Sequence, residues 1–311
     1  MWKIYLMLTL VMFMWGLNLP MLKYLLGFVG PVTMTSLRIF TAGIAVFIIL
    51  SAMKLIRFPH RTEWIYIIPG MLLNVVGHHY FLNTGLTLTS GTNAALILGT
   101  GPFLTAVFSS LLIRVFPSRL QWLGVLLGLI GVSSVVLAGG GLSDISKGDG
   151  FIFLSIAVQV LSFLIVAKAA KTLDPRLLTA YMLLIGGSTL FVIGLFNEPG
   201  ELAAFGEVPP TFWLIFGLSA LFGTAISHML YNYSVGQAGP TKAAIFMNLN
   251  TLVALLGSAL FLGEALTIRH LLGLILIVTG VLFGSGAVED LWRKRRAKEK
   301  TGEGAAGGET G

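Results

Sequence analysis

The sequence predicts an all-α integral membrane protein, with ten transmembrane helices arranged as two inverted five-helix repeats. Three observations carry this expectation. Hydrophobic residues make up 56% of the 311-residue chain, charged residues only 11%, and the mean hydropathy is +0.90; a soluble domain carries roughly 25% charged residues. The apolar runs are about 20 residues long, the length a helix needs to cross a hydrocarbon core of roughly 30 Å. Finally, the second half aligns with the first at an offset of 149, without a gap, from His79/His228 to Val132/Val281. His79 meets His228, Asn83 meets Asn232, Thr92 meets Thr241, Gly124 meets Gly273 and Gly131 meets Gly280. Five spans per repeat is an odd number, so the two copies insert upside down relative to each other. Inverted repeats recur in transporters, where one repeat rocks against the other around a central site. The first repeat is placed at 1–140, the second at 149–287, and a basic, then glycine-rich, cytoplasmic tail at 288–311.

Charge sets the orientation. Lys3, Lys54, Arg57, Arg61, Arg114, Arg119, Lys168, Lys171, Arg176, Lys242 and the basic tail from Arg293 to Lys300 fall on one side, together with both termini. The other side holds Lys23, Lys147 and Arg269 with the acids Asp144, Asp149, Glu198, Glu201, Glu207 and Glu264. Positive loops stay inside, so both termini are expected in the cytoplasm. The net charge of +7 is read as anchoring the last helix on anionic lipid, with no nucleic-acid partner. Cysteine is absent, which excludes disulfides, thiolate metal sites and cysteine nucleophiles. The first span lacks a small-residue cleavage site and is expected to be retained.

Taken in order, the spans and their polar residues are as follows. Span 1 (4–26) carries Trp15 and Asn18 near mid-depth, three apart and so on one face; an aromatic wall for a ligand competes with plain packing. Span 2 (31–54) buries Arg38 about two turns from its outer end. An unpaired arginine there costs several kcal/mol, and holding the first repeat together is favoured over binding a substrate carboxylate. Span 3 (63–84) places His79 and Asn83 on one face, with His78 turned about 100° away and out of that role. Span 4 (92–113) is broken at its middle by Gly101-Pro102, because proline removes a helical hydrogen bond. Span 5 (120–138) carries Gly124-x-x-x-Gly128, a small-residue face suited to close packing within the chain or between two copies as a homodimer.

Span 6 (150–171) has Gln159 at mid-depth, either a ligand contact or an interhelical bond, and span 7 covers 177–196. Span 8 (211–232) repeats the pattern of span 3 with His228, Tyr231 and Asn232. Counting from the span starts puts His79 in the outer third and His228 in the inner third, so one His–Asn pair is expected near each mouth of the pathway as a gate. A histidine there could also carry protons, while a neutral histidine bonded to a helix neighbour is the plainer reading. Span 9 (241–262) begins at Lys242 and holds Asn248 and Asn250, about 200° apart on a helix. Only one of them can face a cavity squarely, and Asn250 is chosen. Glu264 ends the span outside, with Arg269 close by in sequence to compensate it. Span 10 (270–287) is glycine-rich and nearly free of polar groups.

Four segments now resemble a known pattern. Trp15-Gly16-Leu17-Asn18, Arg38-Ile39-Phe40-Thr41-Ala42, Gly99-Thr100-Gly101-Pro102 and Leu262-Gly263-Glu264 resemble the signatures of the EamA family, in the drug/metabolite transporter (DMT) superfamily. The resemblance implies a carrier of two inverted units, usually moving small metabolites, amino acids among them, outward across the bacterial inner membrane. It also implies that spans 1, 3, 4, 6, 8 and 9 line the pathway. Two departures stand out: Val115 occupies the place of Glu264 in the first repeat, and Thr251 the place of Pro102 in the second.

Absences narrow the function further. No Asp or Glu falls at mid-depth, which disfavours antiport through a shared membrane carboxylate and leaves a neutral, aromatic site. No nucleophile, acid–base set or metal-ligand spacing points to an enzyme, a metal or a cofactor. The expected substrate contacts are therefore Trp15, Asn18, Pro102, Gln159 and Asn250. His79, Asn83, His228, Tyr231 and Asn232 are the expected pathway residues, and Arg38 and Glu264 the structural charges.

Overall fold

A computed structural model describes residues 1–89, 94, 97–138, 146–250, 253, 268–285 and 288–289, and among these there is helix but no strand. Helix α1 is Trp2–Leu25 and α2 is Pro31–Ala52. Helix α3 is built from Trp64–Met71, Leu72–Gly77 and His78–Leu88 in continuous succession. Then come α4 (Gly101–Ile113), α5 (Arg119–Ala138), α6 (Lys147–Ala169) and α7 (Pro175–Asn197). Helix α8 joins Pro210–Leu218, Ser219–Ile226 and Ser227–Ala238. Helix α9 opens with Pro240–Ala244 and a tighter turn at Ile245–Met247, and α10 is Ile268–Gly284. Among the described residues, 6 helices are long and apolar enough to cross a membrane: α1, α2, α3, α6, α7 and α8. Thr92, Thr251, Glu264 and the tail from residue 290 onward lie outside the described residues.

Glycine decides where helices meet most closely. A Cβ on Gly280 of α10 would sit 2.7 Å from the Gly128 backbone nitrogen of α5, and one on Gly131 would sit 2.8 Å from the Gly273 carbonyl oxygen. The α2–α7 contact is reciprocal: a Cβ on Gly43 would lie 2.7 Å from Leu184 N, and one on Gly187 would lie 2.7 Å from Phe40 N. Small residues let backbones approach, which is how membrane helices gain packing without a hydrophobic drive between them. The small-residue faces of α5 and α10 are thus used against each other within one chain.

Both α3 and α8 contain a widened, π-type stretch, Leu72–Gly77 and Ser219–Ile226. These occupy equivalent places in the two halves, and each runs directly into a histidine-bearing segment. Such local widenings are found mostly at functional sites.

The helix ends are secured by carboxylates. Glu198 accepts the Val32 and Thr33 amide hydrogens at 2.9 and 2.8 Å, and Glu201 accepts that of Gly30 at 2.7 Å. These are orphan donors at the start of α2, and a negative charge there also opposes the positive end of the helix dipole. At the other end of the bundle Arg57 pairs with Glu63, and Tyr181 donates to the Arg57 carbonyl at 3.1 Å.

The glycine packing is checkable. Gly280→Ala should cost about 1–3 kcal/mol by overpacking, whereas Gly217→Ala, with nothing within 4 Å of the new Cβ, should be neutral or slightly stabilising. Thermal unfolding in detergent reads both. Equal melting temperatures for the two variants would remove the close-approach account of α5 and α10.

Candidate functional site

The widened turns bring two histidine segments to one place. A cavity of about 190 Å³ lies where α1, α2, α3, α6, α8, α9 and the stretch before α4 converge. Helix α1 contributes Trp15, Asn18 and Leu22, and α2 contributes Arg38. His78, His79 and Leu82 come from α3, Leu98 and Gly99 from the stretch preceding α4, and Gln159 from α6. Helix α8 supplies Gly223, Thr224 and His228, and α9 supplies Met247 and Asn250.

Several of these side chains are held firmly. The Trp15 indole N–H donates to Ser227 Oγ at 3.0 Å, which fixes the ring against His228 (centroids 5.2 Å) and Tyr231 (4.9 Å). Asn18 Oδ1 accepts from Ser219 Oγ at 2.6 Å, and any Cβ at Gly223 would overlap the Asn18 side chain. His78 is fastened to α6: its Nδ1 lies 2.8 Å from Ser155 Oγ, and Gln159 Nε2 approaches its Nε2 at 3.0 Å. With the amide donating to Nε2, the imidazole proton belongs on Nδ1, facing the Ser155 carbonyl at 3.2 Å. Gly16 brings α9 in close, since a Cβ there would lie 3.2 Å from Asn250 Oδ1.

Other polar atoms around the cavity are buried and lack partners: Arg38 Nε and Nη2, both ring nitrogens of His79, His228 Nε2 and Asn250 Oδ1. A buried polar group without a partner is costly, and more so in hydrocarbon than in a water-rimmed protein. Groups of this kind converging on a cavity are what a bound polar molecule, or water in its absence, would satisfy.

The structure corrects several expectations. The two histidines do not guard separate mouths: the His79 and His228 rings stand 5.9 Å apart at the same cavity. Their helices extend well past the expected ends, to Leu88 and Ala238, which moves both residues toward the centre of the bundle. Asn83 and Asn232 do not reach the cavity. Asn83 donates to Thr35 Oγ1 at 2.6 Å and Asn232 to Thr179 Oγ1 at 2.9 Å, the same interhelical bond made once in each half. Tyr231 is packed between Trp15 and Phe163 rather than lining the pathway.

Pro102 also misses the cavity. It opens α4 just after the break at Gly99–Thr100, and Gly99 is the lining residue. His78 does line the cavity, with Gln159 of α6 against its ring, while His79 stands beside His228 of α8, so neighbours about 100° apart both border the space. Arg38 is a cavity residue too, which makes the site charged rather than neutral. Its signal was present in the sequence as a lone cation about two turns inside a span that has no acid to pair it. Asn250 lines the cavity, while Asn248 is turned toward Gly128 of α5. Glu264 lies outside the described residues.

The family model described as "EamA-like transporter family" matches residues 2–137 and again 146–285. The chain belongs to this family. It is 27% identical over 293 residues to an uncharacterized transporter, YyaM, of Bacillus subtilis, covering 92% of this chain and 94% of that protein. It is 28% identical over 260 residues to an uncharacterized inner membrane transporter, YedA, of Escherichia coli, covering 81% and 80%. A chloroplastic WAT1-related protein of Arabidopsis thaliana is 25% identical over 268 residues, covering 84% and 64%. One crystal structure of another protein superposes with a TM-score of 0.78 at 18% identity, over 93% of this chain and 98% of that one. The chain is accordingly a multi-pass membrane transporter of the DMT superfamily.

The two asparagine bonds separate structure from site. Asn83→Ala and Asn232→Ala should each lower stability by about 0.6 kcal/mol, a typical interhelical bond in a membrane protein, without changing the half-saturating concentration of a transported substrate. Thermal unfolding and initial transport rates measure the two effects. A several-fold change in half-saturation would put these asparagines at the substrate.

Proposed function

We propose that the chain is an alternating-access exporter of small amino-acid-like or amphiphilic metabolites at the bacterial inner membrane. Its ten spans form two inverted five-helix repeats with both termini in the cytoplasm. The observation that carries this reading is a single cavity walled by both family matches: α1 to α3 and the α4 approach from the first, α6, α8 and α9 from the second. Two halves that share one site can expose it to either side by rocking about it. The matching widened turns of α3 and α8 and the duplicated Asn–Thr bonds support a two-fold relation between the halves.

The cavity suits a small solute. At about 190 Å³ it falls below the roughly 300–1,000 Å³ of drug-sized pockets. Trp15, Leu22, Leu82, Leu98 and Met247 offer apolar contact beside the polar groups, which fits an amphiphile better than an inorganic ion. Outward direction is taken from the family resemblance.

Efflux from proteoliposomes preloaded with a mixture of amino acids and small amphiphilic metabolites, read by mass spectrometry, tests the reading. Protein-dependent loss of one compound class is expected, and Asn250→Ala should slow that loss several-fold while leaving the protein folded. Loss no faster than from protein-free vesicles, across the whole mixture, would overturn the proposal.

A further inference from the structure

We infer that Arg38 is the substrate anchor of this cavity, and that the transported compound carries a single carboxylate which docks on the Nε/Nη2 edge of its guanidinium. The inference rests on the carrier reading above and names the chemistry its site selects.

The argument starts from burial. Among the described residues Arg38 is the bulkiest fully enclosed side chain, at 1% exposure, and its only hydrogen bond to any of them runs from Nη1 to Thr224 Oγ1 across the interface between α2 and α8. Nε and Nη2 have no partner. Those two atoms lie on the same edge of the guanidinium plane and point two nearly parallel N–H bonds outward, the spacing that matches the two oxygens of one carboxylate. Tethering by Thr224 leaves that edge free and sets its direction. An arginine kept only for packing or for bonding helix carbonyls would be expected to use this edge; here it is buried without a partner on a residue that lines a cavity.

Charge points the same way. No carboxylate lines the cavity among the described residues, so none of these supplies a counter-ion for this cation at the site. An uncompensated arginine inside a membrane is expensive, and such residues face cavities where a partner can reach them. A monoanion neutralises it; a dianionic phosphate would leave an excess negative charge of its own. His79, with both ring nitrogens unpartnered, lines the same cavity and can donate one further hydrogen bond to the bound anion, whereas His228 uses its Nδ1 proton on the Thr224 carbonyl at 3.1 Å. The volume of about 190 Å³ excludes a lipid acyl chain with its headgroup. Beyond the charge, Trp15, Leu22 and Leu82 offer an apolar wall to the rest of the molecule, and Asn250 Oδ1 is a neutral acceptor that tolerates, without requiring, an ammonium group.

A matched panel tests this. Leucine and phenylalanine, their deaminated acids 4-methylpentanoate and 3-phenylpropanoate, and their decarboxylated amines 3-methylbutylamine and phenethylamine are compared on the purified full chain. Two readouts are taken: thermal stabilisation in detergent, and efflux from proteoliposomes. The acids and amino acids should stabilise the wild type and the amines should not. Arg38→Met should weaken acid binding at least tenfold, with Arg38→Lys intermediate because it keeps the charge but loses the two-point edge.

Stabilisation by the amines as strong as by the acids, no stabilisation by any acid, or unchanged acid binding in Arg38→Met would each overturn the anchor. Should Arg38→Met fail to fold, the acid-against-amine contrast in the wild type decides alone. Efflux of amines without acids would keep the carrier and discard the anchor, whereas acid binding with no efflux would keep the anchor and discard the carrier.

Discussion

A guanidinium enclosed at 1% exposure, tied by one hydrogen bond and facing no acid at its cavity among the described residues, is the constraint around which this bundle is arranged. Such a charge cannot be left in hydrocarbon. It has to be reached by polar groups, and those groups must come from several helices at once. Trp15, Asn18, three histidines, Gln159 and Asn250 converge on the cavity that Arg38 faces, drawn from α1, α3, α6, α8 and α9. Each of them needs support in turn. Ser227, Ser219 and Ser155 bond Trp15, Asn18 and His78, while the unpartnered atoms around the cavity belong to Arg38, His79, His228 and Asn250. The polar interior is therefore two layers deep, an inner set that faces the cavity and an outer set of small hydroxyls that orients it.

That arrangement depends on the surrounding helices approaching closely and holding their register. Helix α2, which carries Arg38, is fixed along its length by Gly43 and Gly187 against α7, and at its start by Glu198 and Glu201. Both glutamates belong to the second family match, so the position of the first half's arginine is set by the second half. Thr224, on α8, completes the same relation from the opposite side. The α5–α10 pair is different in kind. It joins the two halves through glycine-to-backbone contact and adds no group to the cavity, as a clamp between halves would.

Much of this was legible in the sequence, and the parts that were not have identifiable causes. Hydropathy located the six helices long and apolar enough to cross a membrane among the described residues, because the bilayer demands about 20 apolar residues from each. The repeat was visible in polar and glycine matches, and the structure gives those matches content: Asn83 and Asn232 make the same bond to a threonine. Depth was harder. Counting residues from expected span starts misplaced His79 and His228, since α3 and α8 run past the expected ends and contain widened turns that no periodicity argument anticipates. Facing was harder still. Helical angle correctly separated Asn250 from Asn248, because one cavity and one neighbouring helix lay on opposite sides. It failed for His78, because the cavity is bordered by several helices and both neighbouring histidines reach it. Glu264 falls outside the described residues.

The same charge also links occupancy to motion on the carrier reading. A site that alternates between two sides must pass through a state closed to both, and closing it strips water from whatever the cavity contains. Water can reach Arg38 while the cavity is open, and closure withdraws it. The electrostatic penalty for an unpaired ion rises as the local dielectric falls. An anion on the Nε/Nη2 edge removes that penalty, and the attraction that replaces it strengthens in the same dry surroundings. The closed state is thus favoured by the bound carboxylate relative to the empty site, through differential interaction rather than affinity alone. Thr224 sharpens the coupling, because it tethers the guanidinium of one half to a helix of the other. Any rocking of α8 against α2 must either carry the arginine with it or break that bond. Substrate charge, closure and the relative movement of the halves meet at one side chain.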